Sequence, residues 1–388
     1  MNEQLKPDYS AWTVALGNSF FKEENTDSFQ SQIAWEPAGF ITEYYKEQSY
    51  DGRFEWSPRS TSSRLQHGGE EKFIHLEKNS LQYFYSDDKT VVAINNNAGR
   101  NFTFKQLKEK DENGNQTPGN FWVDPLALSR DGCWINRLGE EEQRVVLGDR
   151  KNTDVLILRL TDYPDFFRRG TYLDWASFLS FGQLLRRTAC VILDVEPSEL
   201  EVNIRPYRLG NSFSFDVFLM DTLENGAGYC KHFSSPKMLT ELLNKSMEYL
   251  KGHEEECDAS CYACLRDFGN SPYHTLLDWR LAFDLLSISQ NGKDAWKDIS
   301  LSNGIWHKLT EKVMRNLKKN LDDDYTFVPR ANGSYYEIHD NNGVIDHLVH
   351  PLWTSNHHDL PKDYGQSSEP ITIFDVLRRP GWCISKIQ

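Results

Sequence analysis

From Ile33 onward, short apolar stretches alternate with turn-forming residues, the pattern of a strand-rich region. Val91-Val92-Ala93-Ile94 and Asn101-Phe102-Thr103-Phe104 flank the turn-prone segment 95–100 and predict a β-hairpin, with Asn and Gly supplying the positive φ of its turn. Residues 46–72 and 106–120 are rich in charge, Gly, Ser and Asn and read as exposed loops. Residues 1–30 are polar, dotted with aromatics, and follow no clear period.

The middle of the chain is more regular. Residues 154–160 read as a buried strand, with four consecutive aliphatics and no breaker. Phe178, Phe181, Leu184, Leu185, Thr188 and Ala189 recur at helical spacing and predict a helix over 174–193. Residues 201–205 and 212–220 read as strands, the second alternating Phe213, Phe215, Val217 and Leu219 on one face. The small-residue turn Asn225-Gly226-Ala227-Gly228 leads to helices expected at 236–250 and 273–286. The stretch 296–388 opens on an amphipathic helix with Ile305, Trp306, Leu309, Val313 and Leu317 on its apolar face. A second hairpin is expected where Tyr335-Tyr336-Glu337-Ile338 and Val344-Ile345 flank Asp340-Asn341-Asn342-Gly343. A short element follows at 373–377. The expected fold class is α+β and multidomain: a β-rich N-terminal region with long loops (1–150), a mixed α/β middle domain (151–292) and a small α+β C-terminal region (293–388).

Composition narrows the function classes. The chain has 388 residues, enough for two or three domains with real cores, and its aromatic content of 13% excludes a disordered chain. The formal net charge is −14, which argues against a stand-alone nucleic-acid binder acting through bulk charge. Residues 1–10 are polar and charged with no apolar region behind them, and no apolar run is long enough to span a bilayer, so the expectation is a soluble, cytoplasmic protein with no membrane partner. Seven cysteines in a reducing compartment argue against a disulfide framework.

One constellation carries chemistry. Cys257, Cys261 and Cys264 form Cys-x3-Cys-x2-Cys, and Cys230 lies upstream, just after the small-residue turn. Zinc takes four soft ligands tetrahedrally, and a Cys-x2-Cys step brings two sulfurs to one ion across a tight turn. Cys230 would close the site from a separate element, placing a four-cysteine Zn²⁺ site on the helical part of the middle domain; Lys231, Lys251 and Arg266 are near in sequence to offset its charge. Other readings stay open: four unrelated buried thiols, a Cys-x2-Cys redox pair, or His253 replacing one thiolate, since it stands at i, i+4 to Cys257. Cys133, Cys190 and Cys383 are scattered and read as packing residues. A fully occupied thiolate site has no open position for water, so it orders the fold and catalyses nothing.

No phosphate-binding Gly-x4-Gly-Lys-Ser/Thr loop and no Asp-Glu-x-His/Asp box occurs, so ATP hydrolysis by this chain alone is not expected. The carboxylates of the 337–346 hairpin, Glu337 and Asp346 among them, leave a metal-dependent nuclease or hydrolase as an alternative. The pairs Arg168-Arg169 and Arg186-Arg187, with Arg266, are the candidate phosphate contacts, and Lys318-Lys319 is a third basic pair.

Thr153-Asp154-Val155-Leu156, Asp221-Thr222 leading to Gly226-Ala227-Gly228-Tyr229-Cys230, and residues 257–270 with His274 and Asp278 resemble the MrfA-type zinc-binding domain. That domain lies at the C-terminal end of a group of DEAD/DEAH-like DNA helicases and in helicase-associated proteins of bacterial antiviral systems such as DISARM, whose DrmB component carries it. The resemblance is strong over 150–290 and weaker at Trp35–Phe40 and at His350-Pro351-Leu352-Trp353. It implies that Cys230, Cys257, Cys261 and Cys264 are zinc ligands. It also implies a non-catalytic accessory subunit working with a separate helicase motor, and with DNA through that complex. The family's double glycine is here Asn225-Gly226, and Asn is the residue that best tolerates the positive φ expected there. Asp278, one turn after His274, is expected to brace it with a hydrogen bond.

Overall fold

The computed structural model describes residues 13–15, 33–35, 39–43, 61–65, 71–77, 79–95, 102–123, 138–164, 166–169, 171–209, 212–251, 253, 257–292, 295, 299–302, 304–321, 324–361 and 369–388. The chain divides into two compact units, one of residues 1–68 with 89–153, the other of residues 69–88 with 154–388. Residues 154–292 and 293–388 thus lie in one unit.

The first unit is built of strands: β1 (Thr13–Ala15), β2 (Ile33–Trp35), β3 (Gly39–Glu43) and β4 (Thr61–Leu65), then the later parts of sequence discussed next. The segment read as a loop at 106–120 is a hairpin of two strands. Among the strands that follow β4, β5 (Ile74–His75) and the start of β6 (Leu81–Asn95) belong to the second unit, while β7 (Phe102–Lys110) and β8 (Gln116–Val123) form that hairpin. Its turn is made by Asp111, whose carboxylate accepts from Asn113 N at 3.0 Å and Asn115 N at 2.8 Å, with Gly114 at φ +82°. The polar composition that suggested a loop is compatible with a ladder, because an antiparallel strand keeps its backbone bonded while one face stays wet. A hairpin is expected around 95–100; among the described residues β6 pairs with β4, β5 and β9, and β7 with β8 and β9, not with each other. Segment 95–100, apart from Asn95, and Cys133 lie outside the described residues, as does most of 1–60.

The second unit carries the chemistry. The last part of β9 (Leu138–Leu160) pairs antiparallel with β11 (Ser212–Asp221), which pairs in turn with β10 (Leu200–Leu209). Val155, Leu156, Ile157 and Leu158 are all buried, as the unbroken aliphatic run requires. Helix α1 (Tyr172–Leu193) lies on this sheet. Gly182 permits the close approach, since a Cβ there would stand 2.9 Å from Val202 Cγ2 and 3.0 Å from Val217 Cγ1. The opposite side of α1 packs on α3 (Pro236–Leu250) and α4 (Trp279–Asn291), which follow the short α2 (Tyr229–His232). Covered on both sides, α1 is buried from Leu173 to Leu185 without a break, not merely on one face.

The helix expected at 273–286 begins at Trp279 instead. Asp278 caps it, its side chain accepting from Arg280 N at 3.0 Å, and residues 271–273 form a separate 3-10 turn. Downstream come α5 (Gly304–Asn320) and a four-stranded sheet ordered β12 (Thr326–Arg330), β13 (Tyr335–Asp340), β14 (Gly343–Val349), β15 (Ile371–Thr372). The expected hairpin at 335–345 is present as β13–β14, with Asp340 facing Gly343 across the turn. Helices α6 (Ile373–Arg378) and α7 (Pro380–Ile387) end the chain. No described helix is long and apolar enough to cross a membrane.

The tail is locked into this unit by buried polar contacts. Arg168 donates twice to Trp353 O, at 3.1 and 2.7 Å, and Trp353 Nε1 donates to Ile299 O at 2.9 Å. Asp284 accepts from Trp306 Nε1 at 2.9 Å and lies 3.0 Å from His350 Nε2. Because His350 Nδ1 accepts from Leu352 N, its Nε2 is the nitrogen placed to donate, and Asp284 Oδ2 takes both contacts inside the core.

Candidate metal centre

Three of the four predicted cysteines meet. The sulfurs of Cys257, Cys261 and Cys264 and a ring nitrogen of His253 all lie within 4.8 Å of one another. Cys261 Sγ is 3.7 Å from Cys264 Sγ and 3.6 Å from His253 Nε2. A tetrahedral zinc with bonds of about 2.3 Å to sulfur and about 2.0–2.1 Å to nitrogen needs edges of about 3.8 Å between sulfurs and about 3.6 Å between sulfur and nitrogen. The donor set is one that zinc takes, and the two edges at Cys261 have the length a zinc ion needs.

Local hydrogen bonds fold the peptide into this shape. Cys261 O accepts from the N–H groups of Cys264, Leu265 and Arg266, at 3.1, 3.1 and 2.9 Å. Cys261 N points at Cys264 Sγ, 3.1 Å away. The Cys264 thiol hydrogen-bonds Cys257 and holds the latter's pKa down, to about 5, against the opposing effect of burial, with His253 helping. Neighbouring elements clamp the loop from outside. Trp279 donates from N to Ala259 O at 2.8 Å and from Nε1 to Cys257 O at 3.1 Å, and Arg280 Nη2 donates to Asp258 O at 2.7 Å. Tyr249 OH on α3 reaches Ala263 O at 2.6 Å.

Cys230 is not in this group. It sits in α2, 1% exposed, where burial pushes its thiol well above the usual range and the Asp221 carboxylate beside it pushes further. Its sulfur lies outside the cluster of four donors. The reason is the turn that precedes it. Asp221 Oδ2 accepts from Ala227 N at 2.7 Å and Tyr229 N at 3.0 Å, and Oδ1 accepts from Cys230 N at 2.9 Å. That clamp winds 221–230 around the carboxylate, with Asn225, Gly226 and Gly228 at φ +65°, +75° and +84°. The positive φ expected at Asn225 is present. The constraint is tightest at Gly226, where a Cβ would stand 2.6 Å from Asp154 Cγ. Gly226→Ala is expected to destabilise the protein by roughly 2–4 kcal/mol, from a left-handed alanine and displacement of the buried Asp154; urea unfolding measures it.

Every basic candidate makes intramolecular contacts. Arg168 holds the tail, as above, and pairs with Glu369 at 3.4 Å. Arg169 donates to Pro164 O at 3.2 Å. Arg186 pairs with Asp267 and donates to Pro197 O at 3.1 Å. Arg187 donates to Tyr262 O at 3.1 Å, so α1 grips the cysteine loop through two consecutive arginines. Arg266 Nε donates to Ser260 Oγ at 2.8 Å.

The expected His274–Asp278 bond is absent. His274 Nε2 lies 3.0 Å from Asp267 O and 2.9 Å from Asn270 Oδ1, while Asp278 binds Arg280. With Asp278 serving as the cap of α4, the two residues do not share a helix. Glu337 and Asp346 do not form a joint acidic site either. Asp346 is paired in register with Ile338, so Glu337 points from the other face of the sheet. Glu337 is bound by Arg330 at 2.7 Å and Asp346 by Lys386 at 2.8 Å. The other packing cysteines, Cys190 and Cys383, are buried.

Residues 181–265 match the family model described as MrfA Zn-binding domain. The Druantia protein DruE of Escherichia coli (strain UMEA 4076-1) is 31% identical over 161 residues, which cover 39% of this chain and 9% of DruE. The chain thus spans under a tenth of that relative's length. Two crystal structures of the DUF1998 helicase MrfA are similar at low level. The DNA-bound form has a TM-score of 0.35 and 12% identity, covering 64% of this chain and 25% of that one. The form bound to DNA and AMPPNP has a TM-score of 0.26 and 13% identity, covering 58% and 22%. With the match running from the middle of α1 through the cysteine loop, this chain carries an MrfA-type zinc-binding domain.

Proposed function

We propose that this chain is a zinc-ordered, non-catalytic accessory unit of a DNA helicase complex in bacterial antiviral defence, with the motor on a separate polypeptide. The observation that carries the reading is the His253, Cys257, Cys261, Cys264 group at tetrahedral zinc spacing, at the end of the segment that matches the MrfA Zn-binding model. Four protein ligands leave no position for a reacting water, so the metal's role is to order the loop between α3 and α4. The homology to a defence protein supports the setting, and the absence of nucleotide-binding motifs from the sequence supports a separate motor.

The test is in two steps. The purified chain should hold one zinc, with three thiols unreactive until a chelator removes it. A tagged copy expressed in its native host should co-purify in stoichiometric amount with a protein carrying the missing nucleotide-binding motifs. A chain that purifies alone and itself hydrolyses ATP or cleaves DNA would sink the accessory reading.

A further inference from the structure

The turn after the cysteine loop gathers more positive charge than the described residues neutralise. Asp278, wholly buried, is held by Arg280 Nη1 at 3.1 and 3.2 Å from its two oxygens. Arg378 reaches the same carboxylate only at 4.0 Å, and its nearer contact is to Leu277 O at 3.1 Å. Its Nε is buried with no acceptor. Arg266 is anchored by the Ser260 hydroxyl, which itself lies 3.5 Å from His274 O. Among the described residues no carboxylate lies within ion-pair distance of Arg266. Its sequence neighbour Asp267 is bound by Arg186, and Asp375, on the helix of Arg378, is bound by Arg379 and Tyr172.

Three guanidiniums are thus fixed around one turn: Arg266 on the Ser260 hydroxyl that lies beside His274 O, Arg378 on Leu277 O, and Arg280 on Asp278, the carboxylate that Arg378 reaches only at 4.0 Å. Burial, Arg266 and Arg280 push the pKa of Arg378 down, opposed by Asp278, and burial and Arg266 push His274 down as well. In a chain of net charge −14 such a surplus is not a consequence of composition.

We infer that Arg266 and Arg378, with Arg280 behind them, form a binding site for a phosphate-class oxyanion. Guanidinium N–H donors match phosphate oxygens in pairs, and a dianion would supply the charge these two side chains lack. Arg280 occupies Asp278, so that carboxylate does not compete. The inference stands apart from the motor-partner reading and is tested without a motor.

The experiment uses the zinc-loaded full chain. Thermal unfolding is followed in sodium phosphate and in sodium chloride of equal ionic strength. A ligand that binds only the native state raises Tm with its concentration, so phosphate is expected to raise Tm above the chloride value. Arg266→Gln/Arg378→Gln should lose that difference while keeping its zinc. Should the double variant lose zinc, Arg378→Gln alone decides, since it leaves the Ser260 contact intact. Anisotropy of a labelled oligothymidylate separates the sources. At least tenfold weaker binding by Arg266→Gln assigns the site to a nucleic-acid backbone phosphate. Unchanged oligonucleotide binding beside a lost phosphate effect assigns it to a free phosphate or nucleotide. Equal Tm in phosphate and chloride, or an equal phosphate effect in wild type and the folded variants, overturns the site.

Discussion

Cys264→Ser should release the zinc and unfold the cysteine loop, while Cys230→Ser should keep one zinc per chain. The contrast follows from where the two sulfurs sit. Cys264 is one of four donors within 4.8 Å, and its replacement leaves three ligands and an uncompensated gap. In small zinc modules the metal contributes on the order of 10–16 kcal/mol to folding. Here part of that order is independent of metal, because α3 and α4 also pack on α1. The expected cost is therefore roughly 3–6 kcal/mol, with the loss concentrated in residues 253–270. Tyr249, Trp279, Arg280, Arg186 and Arg187 would lose the loop they clamp, so the damage should spread to the ends of α1, α3 and α4. Elemental analysis gives the zinc content, and hydrogen exchange locates the loosened segment. His253→Cys should keep the metal and His253→Ala should weaken it. Because zinc requires deprotonated sulfur and neutral imidazole, retention should fail as pH falls through the range where these ligands regain protons. Zinc lost from Cys230→Ser and retained by His253→Ala would restore the four-cysteine set.

Cys230 marks where spacing stops being informative. Cys257, Cys261 and Cys264 are close in sequence, so local turn geometry decides their meeting, and Cys-x3-Cys-x2-Cys states it. The fourth donor is decided by tertiary packing. Cys230 looked available because it follows a glycine turn, but that turn belongs to Asp221, whose three accepted N–H bonds point the helix elsewhere. His253 carried its own signal, the i, i+4 step to Cys257, and was legible as an alternative. Strand and helix periods were read well where one face or both were buried, as in 154–160 and 236–250. They failed at 106–120, where a solvent-washed hairpin has loop-like composition, and at 273–278, where a cap set by one carboxylate delays the helix. The polar residues of 266–280 were legible as a constellation, but not as a wiring diagram. Which arginine takes which aspartate depends on α1 and α6, far away in sequence.

Asp221→Ala should be among the most destabilising single changes in the second unit, costing roughly 3–5 kcal/mol, without releasing zinc. Its carboxylate is fully buried and accepts three backbone N–H groups within a turn that holds two glycines and an asparagine in left-handed conformations. Deleting it leaves three donors without their acceptor, the buried Cys230 N–H among them, at about 1–3 kcal/mol for a donor shut off from water, and removes the clamp that favours so strained a turn. The Cys230 thiol loses its acceptor at the same time. Asp221→Asn should be milder, near 2 kcal/mol, because one amide oxygen can still take the Ala227 and Tyr229 donors while the amide nitrogen faces Cys230 N–H unfavourably. Urea unfolding of both variants, with zinc measured in the folded baseline, separates this clamp from the metal centre. A loss under 1 kcal/mol for Asp221→Ala would mean that the turn is held by the packing of α2 and β11 alone. A loss of zinc would mean that the turn and the cysteine loop fold as one piece. Since no hydrogen bond runs from 221–230 to the loop of Cys257, Cys261 and Cys264 among the described residues, the expected result is a weakened turn beside an intact metal site.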